Sequence, residues 1–345
     1  MVRTRSFLIV AVALGLGVGA CKKKEEAKGT GADKATEKVG LDKPVGGAAV
    51  AGSDDLSLLP ADSELVLGLN FAQLQQSALW KQFAPKLMEK AAGELAEFKA
   101  LCGFDPLDQF KSVSLGMKGI DSGGGKQPDG VVVVHGPEKS KVLPCLDKAK
   151  AKLAEKGTEV TVDGDVFTMK GKDGQTQAFT FINNDTVVGV MGPTASKDTV
   201  LAAAKGGSAL KTSQTFVEMY SKINTKDSLW FLVNGNAPFM AKAAQSGMKF
   251  KAVFGSVNVT DGLTLDLRMR MATPEEATQF VNMAKAQVEN PQVKQMLDKL
   301  DIAADGTDAK ISAAMSNQKL QNLIGMVGGM MGGMMGAGGG MGGTP

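Results

Sequence analysis

The sequence predicts an α+β fold of two related lobes, each an antiparallel sheet with helices packed on one face. Short alternating apolar segments are separated by Asp-Gly pairs such as Asp163-Gly164, which is typical of antiparallel hairpins. Other segments repeat apolar residues every three or four positions, which indicates amphipathic helices. Phe110 returns as Phe250, each followed by lysine at the start of a strand pattern, so the sequence indicates an internal duplication.

The first lobe is predicted at residues 58–205. It opens with a strand at 64–70, where the apolar pattern alternates. One long helix should follow from Leu79, because apolar residues recur along one face, and it should end at Gly103, a residue suited to a helix C-cap. Two strands, a second helix over 137–155, a meander of four strands and a third helix complete the lobe.

The second lobe is predicted at residues 206–325 and repeats this order. Its first strand lies at 229–234. A strand pair then leads to a helix that begins at Pro274, in the same way that Pro137 should begin the second helix of the first lobe. A hairpin near residue 305 and a short helix close the lobe.

Residues 1–20 have the parts of a bacterial export signal. Two arginines precede an apolar run at 7–18, which is shorter than the roughly 20 residues that span a bilayer. Residues 18–21, Val-Gly-Ala-Cys, resemble a lipobox, and this resemblance implies lipidation of Cys21 and cleavage before it. The alternatives are an ordinary signal peptide with a chance cysteine, or an uncleaved anchor.

The residues after the lipobox predict where the chain is held. In the sorting rule that comes with the lipobox resemblance, an Asp after the cysteine retains a lipoprotein at the inner membrane. Lys22 stands there instead, so we expect the cell envelope, at the outer membrane facing the periplasm. Residues 21–57 should form the lipidated cysteine and a disordered tether, because they lack aromatic residues and an apolar period.

Composition limits the partners and the redox state. The full sequence carries a formal net charge of +3, and loss of the two signal arginines leaves a charge near +1. Such a chain cannot neutralise many phosphates, so nucleic acid is not expected as a partner. Besides the membrane, an envelope protein is a possible partner. Cys102 and Cys145 are an even pair in an oxidising compartment, which favours a disulfide over two free thiols.

The sequence predicts no enzyme and no cofactor. His135 is the sole histidine and lies at the end of a valine-rich strand, where a structural role is expected. One histidine cannot form a zinc site with two oxidised cysteines, and no Gly-x-Ser-x-Gly elbow presents a nucleophile. Residues 123–126, Gly-Gly-Gly-Lys, lack the spacing and the following helix of a phosphate-binding loop.

Residues 326–345 are rich in glycine and methionine, and we predict a disordered tail. Thioethers are soft ligands, so a weaker hypothesis places Cu(I) on Met330, Met331, Met334 and Met335. The tail contains neither histidine nor cysteine to strengthen such a site.

Three short motifs resemble a family of uncharacterised bacterial envelope lipoproteins. They are Leu-Pro-Ala-Asp at 59–62, Ala-Leu-Trp-Lys at 78–81 and Gly-Phe-Asp-Pro at 103–106. The resemblance covers about residues 58–330, with its specific motifs in the first part. It implies the two-copy α+β fold and supplies no catalytic residues.

The expected function is therefore non-enzymatic binding or scaffolding at the membrane surface. Periplasmic carriage of an apolar ligand or lipid is the alternative, and it requires an unfilled apolar pocket between helices and sheet. A hydrolytic enzyme or a Cu(I)-binding tail has less support.

The lipobox makes a direct prediction about Cys21. Substitution Cys21→Ser should abolish lipidation, because no thiol then accepts the diacylglyceryl group. The protein should move to the soluble periplasmic fraction or accumulate as precursor, as labelled palmitate and cell fractionation will show. Unchanged palmitate incorporation in the variant would contradict the lipobox assignment.

Overall fold

The computed structural model describes residues 55–89, 91–120, 127–206, 209–241, 249–289 and 295–325. Cys21, the tether up to residue 54 and the tail from residue 326 lie outside the described residues. The α+β class is confirmed, because the described strands form one twelve-stranded antiparallel sheet with helices around it. Within the described residues, no helix combines the length and the apolar character that crossing a membrane requires.

The strands carry the alternating patterns that the sequence shows. In chain order they are β1 Leu65–Leu69, β2 Ser112–Lys118, β3 Asp129–His135, β4 Glu159–Asp163, β5 Val166–Lys170, β6 Thr176–Phe181, β7 Thr186–Met191, β8 Leu229–Asn234, β9 Ala252–Asn258, β10 Gly262–Arg270, β11 Lys299–Asp305 and β12 Asp308–Ser316. Across the sheet the order is β11-β12-β10-β9-β8-β1-β2-β3-β7-β6-β5-β4. The predicted four-strand meander is therefore β4 to β7.

Four helices connect the neighbouring strands β1 and β2, four others connect strands that are not neighbours in the sheet, and the last follows β12. They are α1 Phe71–Gln76, α2 Ala78–Glu89, α3 Ala92–Cys102, α4 Pro106–Gln109, α5 Lys139–Glu155, α6 Lys197–Ala204, α7 Gln214–Tyr220, α8 Pro274–Val288 and α9 at 317–325. Short 3₁₀ turns occur at Asp55–Ser57, Leu210–Thr212 and Pro238–Met240.

The two halves of the chain repeat one plan around the central β1–β8 pair. The amide of Asn70 donates to the carbonyl of Ser228 at 2.9 Å, and the amide of Asn234 donates to the carbonyl of Glu64 at 2.8 Å. The two bonds lie at opposite ends of the β1–β8 pair. This antiparallel pairing makes the two lobes parts of one sheet.

The equivalences predicted between the two halves agree with the structure to different degrees. Phe110 and Phe250 each lie two residues before an equivalent strand, and β2 and β9 share the same sequence of buried and half-buried positions. The helices that follow these strand pairs begin two residues apart relative to their prolines. Helix α8 begins at Pro274, whereas α5 begins at Lys139, so Pro137 precedes its helix instead of opening it as predicted.

The prediction that helices pack on one face of the sheet is wrong. Along β3, Val131 and Val133 belong to a core with Val200 of α6, whereas Val132 and Val134 belong to a second core that α5 covers. Successive strand residues point to opposite faces, so helices lie on both. All four valines are buried, and an unbroken apolar run is the pattern of a strand covered on both sides.

Two predicted boundaries are also wrong. The long helix is two helices, because α2 ends at Glu89 and α3 begins after Ala91, which has φ −103° and ψ 0°. The break redirects the chain so that α3 lies against α5. The tether ends earlier than predicted, since Asp55 and Leu56 are only 2% and 4% exposed and Leu56 joins the core.

A close approach at the centre of the sheet makes a glycine necessary. The indole of Trp230, which is fully buried, lies over Gly68 on the adjacent strand, where a Cβ atom would overlap the ring. Because the neighbouring core fixes the tryptophan, the ring cannot move aside cheaply.

Substitution Gly68→Ala should therefore lower the free energy of unfolding by about 1–3 kcal/mol through overpacking. Gly93→Ala is the matched control, because a Cβ atom there meets nothing within 4 Å. On an exposed helical position the control should keep or raise stability by up to about 1 kcal/mol. Urea denaturation measures both, and a wild-type midpoint for Gly68→Ala would contradict this packing.

Candidate functional site

An apolar cavity of about 120 Å³ lies between the sheet and the helices α3, α4 and α5. The helices form its walls, and β6 and β7 contribute its floor through Phe179 and Val187, each 2% exposed. The other apolar lining residues are Phe98, Leu101, Phe104, Pro106, Phe110, Pro137, Val142, Cys145, Leu146, Ala149 and Leu153.

A disulfide holds two walls of this cavity together. Cys102 ends α3 and Cys145 lies within α5, and the structure joins them with their Cα atoms 4.7 Å apart. Gly103 lets α3 end here, because it adopts the left-handed conformation at φ +80°. The bond closes a loop with a sequence separation of 43, which stabilises the fold by about 4 kcal/mol on the chain-entropy estimate.

Aromatic rings shape the interior. Phe98 of α3 meets Phe104 edge to face with 5.4 Å between ring centroids. On the floor, Phe179 stacks on Phe167 at 5.1 Å. Aromatic pairs of this geometry contribute about 0.5–1.5 kcal/mol each beyond the burial of their surface. The cavity is thus bounded by packed rings and a covalent bond.

Charged side chains stand at one end of the cavity. The carboxylate of Glu97 on α3 accepts from Lys152 Nζ at 3.1 Å and from Lys156 Nζ at 3.2 Å, both on α5. The hydrogen bond from Lys152, and then that from Lys156, hold the pKa of the Glu97 carboxyl below its ordinary value. Two ammonium groups thus converge on one carboxylate, which leaves the three groups with one net positive charge.

One wall atom has an unmet hydrogen-bonding requirement. Within the described residues, the buried amide oxygen of Gln109 at the end of α4 has no partner. An unpaired buried acceptor costs about 1–3 kcal/mol. A donor that enters the cavity could remove this cost.

The sequence-predicted histidine lies in a separate polar cluster on the opposite face of the sheet. His135 Nε2 lies 2.7 Å from Asp55 Oδ1, and His135 Nδ1 lies 3.2 Å from the hydroxyl of Thr186. Ser114 donates to the other oxygen of Asp55 at 2.6 Å. The hydrogen bond with Asp55 raises the pKa of His135 above its ordinary value, against the opposing effect of burial.

This cluster is arranged for stability. Because its two ring nitrogens bond to Asp55 and to Thr186, the imidazole of His135 is held in one orientation between β3 and the start of the described chain. The structural role expected for His135 agrees with this geometry. The pairing with Asp55 was missed because Asp55 lies 80 residues away in sequence, within the segment predicted to be tether.

The metal hypothesis gains nothing from the described part of the chain. There, no group of three or more His, Cys, Asp or Glu side chains is arranged to hold a metal ion. The methionines proposed for Cu(I) lie outside the described residues.

The His135–Asp55 pair predicts how stability depends on pH. A histidine whose pKa is raised on folding stabilises the fold fully below about pH 6.5, and this contribution is lost as pH rises through the folded-state pKa. The free energy of unfolding should therefore fall from pH 6 to pH 9, as urea denaturation will measure.

His135→Gln should remove this dependence, since the sequence contains no other histidine. Asp55→Asn should lower stability at pH 6 by about 1.5–3 kcal/mol, the range for hydrogen bonds to charged groups. The assignment is wrong if His135→Gln keeps the wild-type slope.

Comparison with known proteins does not assign the chain to a family. No protein-family model matches it, and neither the curated proteins nor the solved structures give a significant match. The resemblance to envelope lipoproteins therefore stays a prediction, and function has to be argued from the geometry of the site.

Proposed function

We propose that the protein is a lipid-anchored envelope protein that binds a small apolar molecule in the cavity beneath α3 and α5. The observation that carries the proposal is the apolar cavity itself, bounded by a disulfide and by packed phenylalanines. Attachment through Cys21 and a position at the outer membrane facing the periplasm are parts of the same proposal, and they rest on the export signal and lipobox.

The energetic cost of the empty space supports a ligand. The walls that face this space are almost wholly apolar, so water within it finds few hydrogen-bond partners. Small substitutions, such as a larger residue at Ala149, would fill much of this space. A bound apolar group restores the missing contacts.

The volume indicates the size of the group that fits. An engineered cavity of about 150 Å³ binds benzene, so 120 Å³ accommodates the end of an alkyl chain or a slightly smaller ring. Each buried methylene contributes about 0.8 kcal/mol, so four of them contribute about 3 kcal/mol. Such burial alone gives weak binding, in the millimolar range or above.

Of the non-enzymatic functions expected from the sequence, the cavity favours carriage of an apolar ligand over scaffolding. A carrier requires an unfilled apolar pocket between helices and sheet, and the cavity lies between α3, α4, α5 and the sheet.

Filling the cavity tests the proposal. Ala149 lines the space, whereas Ala151 is exposed on the same helix and does not line it. Ala149→Phe should weaken binding of octan-1-ol by about tenfold or more, equivalent to about 1.4 kcal/mol, because the ring occupies the ligand's place. Calorimetric titration measures the affinity.

Ala151→Phe is the matched control and should bind octan-1-ol as the wild type does. Circular dichroism checks that both variants unfold cooperatively. Failure of the folded wild type to bind octan-1-ol, or equal binding by Ala149→Phe, would contradict the proposed site.

A further inference from the structure

We propose that the ligand is a single-chain amphiphile with a carboxylate headgroup, in the manner of a fatty acid. Its alkyl end enters the cavity and its carboxylate binds Lys152 and Lys156. This inference rests on the proposed function and names the chemical class of the ligand.

The position of the charged groups separates the two ends of such a ligand. Helix α5 rises about 1.5 Å per residue, so Lys152 lies about 10 Å along the axis from Cys145, and Lys156 about 16 Å. On α3, Glu97 faces the two lysines and Cys102 faces Cys145, so the helices are antiparallel. The charged groups therefore lie toward the opposite end of the helix pair from the disulfide.

The two lysines already have the geometry of a carboxylate site. Their ammonium groups bind opposite oxygens of Glu97, at 3.1 Å and 3.2 Å. Glu97 is 40% exposed at its side chain, and ion pairs that are this exposed contribute little to stability. A ligand carboxylate can consequently join or replace Glu97 at small cost.

Charge and volume exclude other amphiphiles. A cationic headgroup would meet two ammonium groups and only one carboxylate. A space of about 120 Å³ fits the end of one alkyl chain better than the paired chains of a membrane phospholipid. A neutral alcohol would bury the same alkyl end and would lose the contact with the lysines.

Three ligands with the same eight-carbon chain test the headgroup in the full-length protein: octanoate, octan-1-ol and octyltrimethylammonium. At low ionic strength octanoate should bind about three- to fivefold more tightly than octan-1-ol, as expected for partly exposed ion pairs. The difference should shrink at high salt because the charges are screened. Calorimetric titration gives each dissociation constant.

Substitutions on α3 and α5 test whether the lysines cause the difference in affinity between octanoate and octan-1-ol. The double substitution Lys152→Met and Lys156→Met should reduce octanoate affinity to that of octan-1-ol and leave octan-1-ol unchanged. Lys150→Met is the matched control, because Lys150 lies on the other side of α5, pairs with Asp147 at 3.2 Å and does not line the cavity; it should change neither affinity. Glu97→Gln should strengthen octanoate binding without affecting octan-1-ol, because it removes a competing carboxylate.

The outcomes separate the two proposals. Equal affinity for octanoate and octan-1-ol overturns the headgroup assignment and leaves the cavity as a binding site. Tightest binding of octyltrimethylammonium, or an equal loss in the Lys150→Met control, also overturns it. Absence of binding by all three ligands in folded protein overturns the proposed function itself.

Discussion

Strands β1 and β8 run antiparallel at the centre of the sheet, and their backbone hydrogen bonds are what make two repeated halves into one molecule. The pairing extends from Leu65 opposite Val233 to Leu69 opposite Leu229. The fully buried ring of Trp230 lies across Gly68 on one face of this pair. The remaining strands extend outward from it in both directions, so the positions of all helices depend on this contact.

The two halves use the shared plan differently. Between β1 and β2 the chain inserts four helices, and two of them, α3 and α4, enclose the cavity together with α5. In the second half, α8 lies directly against β11 and β12, where Ala277 and Val281 are buried in two small cores. The candidate site thus combines helices α3 and α4, which lie between β1 and β2, with α5 and two strands of the same half.

The strands and their turns could be predicted from sequence because their signals are local. Asp-Gly pairs mark hairpins, and Gly164 and Gly306 indeed have φ of +63° and +61°. The disulfide between Cys102 and Cys145 could be predicted because they are an even pair in a chain expected to enter an oxidising compartment. The apolar stripe continued past Ala91 although the helix did not, because an apolar period records which residues are buried and not where the backbone turns. The contact of His135 with Asp55 and the volume beneath α5 depend on distances between remote elements, which no local pattern contains.

The equivalence of β1 and β8 has a consequence for each half of the chain taken alone. If the chain were divided between its halves, β1 would keep β2 on one side and present a bare row of amides and carbonyls on the other. Because its present neighbour is a copy of itself, the strand best suited to that bare edge is β1 of a second molecule. A half that folded alone would therefore be expected to associate with a second copy through this edge. In the intact chain each half covers the edge of the other, so the two halves need not carry the same helices.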